Sequence, residues 1–395
     1  MIYAVVFILL LIPVVKYDLL AKTGGEGKWF WSCLLLLVLL AGFRYRVGGD
    51  TLMYYGMFDE CPTLDELKYF DFESAIFNPG WYIFNAICKS ICDDFTFFQL
   101  VHALIVNTTF FLFFRKYCPK YYFSVILVYY LGYFCYFNME IMREALCISL
   151  LMMATDWLME KKWIPYYLVC VFALFFHFSA AFMLCLPLLF LFKRNYWKWS
   201  IVIFIGVFAV VRIINVPQLL LGFIADDSSQ LYLLVDKYID RETNINGLLS
   251  TLLRYLPMLG ILWLAERHDV RFTKDFGPLV LGTTIVFASM TCVSIFERFY
   301  NYFVPFVLIY FVETVYVILS TKALRQFQIT YLSMLVVVGC FFFNIARFYL
   351  KDCSEFYPNT YFYVRYVPYH SIAMPKIEEQ RERYTENERD LSINF

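Results

Sequence analysis

The sequence carries no excess charge of either sign. Its 33 basic and 33 acidic side chains cancel, and no long run of like charge occurs in the 395 residues. That leaves neither a basic field nor a charged tail for nucleic acid, so no nucleic-acid partner is expected. Internal repeats and low-complexity tracts are missing too. Met1 to Val15 is apolar but lacks a basic n-region and a small-residue cleavage site, so it reads as a retained first span rather than a signal peptide. The 12 cysteines make no disulfide framework. Cys33, Cys135, Cys147, Cys170, Cys185, Cys292 and Cys340 sit inside apolar runs, where a thiol behaves as a small hydrophobe. Cys88 and Cys92 are one helical turn apart with no further ligand near them in sequence, so no metal site is expected. Cys61 and Cys353 can pair if both face an oxidising side.

Apolar residues fill what charge leaves. The chain is 61% hydrophobic and 21% aromatic with 17% charged residues and a mean hydropathy of +0.62, which marks an all-α integral membrane protein. Apolar runs at 2–16, 29–43, 95–114, 121–137, 141–158, 163–177, 179–193, 198–215, 248–265, 277–296, 299–319 and 329–348 predict about 12 transmembrane helices. Several fall short of the roughly 20 residues a span needs and must extend into their aromatic borders. The polytopic domain therefore covers 1–348, with outer loops at 44–80 and 216–247, and a charged C-terminal tail follows at 349–395, whose closing stretch K-I-E-E-Q-R-E-R-Y-T-E-N-E-R-D is expected to be a solvated helix or disordered.

Alternate connections are rich in Lys and Arg, such as Arg115, Lys116 and Lys120, or Lys161 and Lys162, and are assigned to the cytoplasm. The alternation holds only if residues 79–93 do not cross. Phe84, Ile87, Cys88 and Ile91 there form one helical stripe opposite Asn85, Lys89 and Asp93, so the segment is expected to be an interfacial or re-entrant helix. The outer connections then hold Arg44, Arg46, Asp50, Asn78, Asn138, Glu140, Arg143, Glu144, His177, Ser179, Arg212, Arg254, Glu297, Arg298, Asn301 and Arg347. Outer arginines run against the usual bias and call for a reason other than topology. Arg254 lies about two turns inside its run, roughly 9 Å deep at 1.5 Å per residue. Its alternatives are a ligand site and a paired structural role.

The stretch Gly42 to Asp50, G-F-R-Y-R-V-G-G-D, sits where a helix leaves the hydrocarbon. Arg44 and Arg46 share a side only if the chain has left the helix, which Gly48-Gly49 favours, and a paired fork there suits a phosphate ester or diphosphate. The plain alternative is an anchor for the helix end. Arg143 opens an apolar run, where its charge opposes the helix dipole unless an anion is bound. His177 breaks the longest apolar stretch and is either a satisfied hydrogen-bonding group or a base.

Five ordered motifs, R-Y-R-V-G-G-D-T-L-x-Y, N-P-G-W-Y, F-N-x-x-I-M-R-E-A-L, F-F-H-F-S-A and E-R-F-Y-N-Y-F, resemble the EpsG family, a branch of the Wzy-type polysaccharide polymerases, over about residues 29–320. The resemblance implies a glycosyltransferase of the bacterial inner membrane, multi-pass, with its active site facing the periplasm or exterior. It would join polyprenyl-diphosphate-linked oligosaccharide repeat units without a cofactor or metal, and it admits a chain-length regulator and a flippase as membrane partners. Carried over by position, Arg44, Arg46, Gly49, Asp50, Arg143, His177 and Arg298 occupy motif places. Arg44, Arg46, Arg143, Arg254 and Arg298 are then candidates for the diphosphate, and Gly49, Asn78, Asn138, Glu140 and Asn301 for other substrate contacts. His177 and Asp50 are the candidates for removing the acceptor proton, with His177 favoured and Asp50 expected to fix the arginines. Two positions depart from the pattern: Asn78 stands where an acid is expected before Pro-Gly, and Glu144 follows Arg143 where an amide is commoner. Asp226-Asp227, the only outer acidic pair, lies away from the motifs. A transferase adding one sugar from a lipid monophosphate and a non-catalytic flippase are the competing classes; a flippase needs polar groups in both halves of its bundle, whereas here they crowd one side.

Overall fold

A computed structural model describes residues 1–72, 78–213, 245–271, 273–291, 296–320 and 324–393. The apolar runs fold as helix, and no strand occurs among the described residues, only isolated bridges. A backbone removed from water must close its own hydrogen bonds, and a helix does so within one segment. Among the described residues, four helices are long and apolar enough to cross a membrane: Ile2–Leu19, Phe95–Tyr117, Gly247–Arg267 and Thr330–Tyr349. The other apolar helices are shorter, so length alone does not give twelve crossings. One of them, Phe178–Leu191, is a 14-residue 3-10 helix; at about 2.0 Å per residue its rise approaches 28 Å, near the hydrocarbon thickness.

The chain forms two compact units, Met1–Leu184 with Phe348–Asp390, and Cys185–Arg347 with Leu391–Phe395. In the first, α1 (Ile2–Pro13) continues into a π-helical turn, and α2 (Glu26–Gly42), α3 (Thr51–Glu60), α4 (Pro79–Ile91), α5 (Phe95–Tyr117), α6 (Tyr122–Gly132), α7 (Phe134–Met139), α8 (Met142–Met159) and α9 (Trp163–Leu174) follow. Helix α5 is central, packing on α2, α4 and α8, and α8 packs on α9. Its start is fixed by Asp94, whose side chain accepts the Thr96 N–H at 2.7 Å, satisfying a donor that the helix leaves open. Aromatic residues fill this core, as where Phe110 stacks on Tyr129 at 4.7 Å. In the second unit α10 (Tyr196–Ile213), α11 (Ile245–Arg267) and α12 (Thr273–Met290) pack on one another, and α14 (Val304–Ser320) follows the short α13 (Glu297–Tyr300). Helix α15 (Leu324–Tyr349) ends this unit, and α16 (Glu379–Ile393) closes the chain. Most of loop 216–247, with Asp226 and Asp227, lies outside the described residues.

Three expectations meet the structure here. Residues 79–91 form a helix too short to span, with Ile83, Ile87 and Ile91 exposed and Trp81, Tyr82, Asn85 and Cys88 buried. Cys88, expected on the apolar stripe, and Asn85, expected opposite it, thus both lie inside, and Asn85 turns its amide back onto the Trp81 carbonyl at 2.7 Å. Cys61 and Cys353 are separate buried thiols. The described part of the segment after Tyr349 is docked: backbone hydrogen bonds from Tyr45 to His370, Gly48 to Arg365 and Ile372 to Phe43, at 2.8, 2.8 and 3.0 Å, stitch it to the loop after α2, and its charged stretch forms a helix with Glu379, Gln380, Arg383 and Glu386 exposed. Its charged helix hides a buried face, Arg381 and Tyr384, three residues apart.

Candidate functional site

The loop from Phe43 to Asp50 begins where α2 runs out of hydrogen-bond donors for its last carbonyls. Arg44 is 1% exposed and supplies them: Nη1 donates to Ala41 O at 2.5 Å and Nε to Val47 O at 3.1 Å, with Nη2 against Met142 Sδ at 3.4 Å. A guanidinium at a helix C-terminus also complements the dipole. Arg46, at φ 53°, turns the other way and grips Glu382 of α16 through Nε and Nη2, the latter at 2.6 Å from Oε2. The two arginines therefore serve different partners.

Gly48 adopts φ 109°, and a Cβ there would stand 2.7 Å from the Met139 carbonyl, so glycine is required on both counts. This close approach brings Gly49 N–H to Glu140 Oε1 at 2.6 Å. Glu140 is buried, and its other oxygen accepts from Arg365 Nη1 at 2.7 Å. Arg365 in turn donates to the Tyr384 hydroxyl at 3.1 Å from Nη2 and lies over the Phe362 ring. Each charge in this buried pair has hydrogen bonds beyond the pair itself, which is what makes its burial tolerable. Asn138 is likewise internal, accepting from Asn107 at 2.7 Å and donating to the Tyr129 hydroxyl at 3.1 Å.

Beyond the glycines, α3 carries Tyr54, whose hydroxyl donates to the Glu140 backbone carbonyl at 3.0 Å. The half-buried Arg143, in the first turn of α8, hydrogen-bonds this phenol, and the half-buried Asp50 carboxylate lies in its electrostatic range. Burial is the larger influence and holds the Tyr54 hydroxyl above its ordinary value, so it stays a neutral donor. The Tyr54 ring packs on Trp81 at 5.2 Å. One residue earlier, Gly80 N–H donates to the Phe175 carbonyl at 2.7 Å, and a Cβ on Gly80 would come within 2.6 Å of that oxygen. Asn78 Nδ2 donates to the Leu174 carbonyl at 2.8 Å. An ionised acid cannot make that bond, which is a physical reason for the amide at this position.

The carbonyls of Leu174 and Phe175 lead directly into His177. Its Nδ1 accepts the Ser179 backbone N–H at 3.1 Å, beside Ser179 Oγ at 2.6 Å. A ring nitrogen accepting a fixed amide donor holds no proton, so the neutral imidazole carries its proton on Nε2.

Four motifs thus meet within the first unit: the glycine loop on Glu140 and Arg143, Tyr54 on Trp81, and Asn78 with Gly80 on the approach to His177. The family model for EpsG matches residues 28–371. The chain belongs to the EpsG family. No curated protein and no solved structure matches it. In this EpsG protein the matched region ends at Ser371, the residue that bridges Arg44, so α16 with Glu382 and Tyr384 lies beyond it. The family is associated with Wzy-type polymerase-like proteins, and membership points to a membrane protein of polysaccharide biosynthesis.

The fifth motif belongs to the second unit. Arg298 is exposed on α13, Asn301 is buried just after it, and Arg254 Nη1 pairs with Glu297 Oε1 at 2.5 Å. Sequence reasoning missed Arg365, Arg381, Glu382 and Tyr384. The one available signal was the Arg381 and Tyr384 spacing, a single helical face inside a charged tract.

Proposed function

We propose that this EpsG protein is a membrane glycosyltransferase that polymerises oligosaccharide repeat units carried on polyprenyl diphosphate, on the outer face of the bacterial inner membrane. The observation that supports this best is the meeting of Asp50, Tyr54 and Arg143 beside the glycine loop. Arg143 brings a guanidinium to the end of a helix, where the leaving diphosphate would be stabilised as charge develops, a task that arginine performs without a metal. His177, with its proton on Nε2, orients the acceptor hydroxyl by donating to it. Asp50, just beyond the two glycines and within electrostatic range of the Tyr54 hydroxyl, takes the proton, a role for which a carboxylate within reach suffices. The topology that fits has twelve crossings, with residues 79–93 at the interface.

Purified Asp50→Asn and His177→Gln on lipid-linked repeat units test the assignment. Asp50→Asn should bind donor and fail to turn over, while His177→Gln, whose amide also donates, should retain partial turnover. Normal turnover by Asp50→Asn removes it as the base. Glycan chain length in a deletion strain separates polymerisation from addition of one sugar: loss of long chains with single repeats retained supports the polymerase.

A further inference from the structure

A second arginine cluster lies wholly within the second unit. Helices α11 and α15 run side by side there: Asn344 Nδ2 donates to Leu253 O at 2.8 Å, and Arg347 Nη2 to Ser250 Oγ at 2.8 Å. Arg254, on the same stretch of α11, pairs with Glu297. The Arg347 guanidinium interacts electrostatically with both Arg254 and Glu297. Two guanidinia therefore share one carboxylate, which leaves one positive charge without a match in the set. Like charges held side by side repel, and an anion that joins them relieves the repulsion. Arg347 is exposed, and among the described residues its one hydrogen bond goes to a neutral hydroxyl. Its planar fork of donors suits an oxyanion with several oxygens. Arg347 stands in the last turn of α15, at the end of a candidate span, where a lipid head group would sit.

We propose that Arg254, Arg347 and Ser250 form a binding site for the diphosphate head of a lipid carrier, with Glu297 limiting its affinity. The identity of the carrier rests on the polymerase reading, since joining two lipid-linked units brings two diphosphates to one protein. The chemistry itself, a phosphate ester at the end of a lipid, does not depend on that reading.

The full-length protein in detergent, in an Arg143→Gln background that silences the arginine of the first unit, is titrated with farnesyl diphosphate and separately with phosphatidylglycerol. Arg347→Gln should weaken farnesyl diphosphate binding by about tenfold, the worth of one charge-assisted contact. Arg347→Lys should fall between it and the parent. Glu297→Gln should tighten binding, because it releases Arg254. Opposite signs for these two neutralisations are the signature of an anion site; a merely structural cluster weakens in both. Unchanged affinity in Arg347→Gln, or a shift of the same sign in Glu297→Gln, overturns the site. Phosphatidylglycerol binding as tightly, with the same dependence on Arg347, overturns the carrier assignment in favour of an ordinary phospholipid. Absence of sugar transfer by the wild-type protein would sink the polymerase reading while leaving this binding result to stand or fall alone.

Discussion

Glu140 and Arg365 meet at 2.7 Å across 225 residues of sequence, both side chains buried. Because Glu140 also holds the Gly49 N–H, the pair ties the glycine loop, the start of α8 and the C-terminal segment into one piece. Removing one partner leaves the other charge buried alone. Glu140→Gln or Arg365→Met should each cost about 3–5 kcal/mol, and the double variant less than the sum. Thermal unfolding of the four purified proteins reads the cycle, and strict additivity would show that the two charges are not coupled.

Arg143 is expected to depend on its fork and not on its charge alone. Arg143→Lys should insert at normal level and make no polymer, because an ammonium lacks the planar pair of donors. Immunoblots for protein and for surface glycan from the same cells decide it; normal polymer from the Lys variant would take Arg143 out of the site.

The proposed placement of α4 at the interface sets the sidedness of the connections after it. In a cysteine-free background, a cysteine at Thr63 should react with an impermeant thiol reagent added from outside, and one at Lys120 or Lys161 should not. Labelling at Lys120 would mean that residues 79–93 cross.

The turn that leads into α16 should loosen in acid. Glu378 accepts from Lys376 Nζ and meets His370 Nε2, both at 2.8 Å, and the Lys376 bond first, with His370 adding, holds its carboxyl below the ordinary value against a smaller opposing effect of burial. A depressed carboxylate contributes stability that is complete above its unfolded value, about 4.3, and lost as pH falls through the lower folded one. Protease protection at the start of α16 should therefore hold from pH 8 to about 5 and weaken modestly below about 4. Glu378→Gln should show weaker protection throughout and no acid step; an unchanged step in that variant assigns it to another group.

The sequence by itself determined that this is a helical membrane protein and where its helices lie, because runs of apolar residues leave the backbone no other way to satisfy its hydrogen bonds. It also marked Gly48, whose left-handed backbone and close approach to Met139 exclude a side chain, and it set out the motifs that carry the family. Only the tertiary structure decided what the polar residues do. Arg44, Arg46, Asn138 and Glu140 all read alike from sequence as outer polar groups, yet Arg44 closes the end of α2, Arg46 holds Glu382, and Asn138 and Glu140 are buried in networks. The physical reason is that a charge or amide draws its meaning from its partner, and partners such as Glu140 and Arg365 are brought together only by folding. Periodicity assigns a face to a helix, but with lipid on one side and protein on the other it does not say which face turns inward, as α4 illustrates with Asn85 buried and Ile87 exposed.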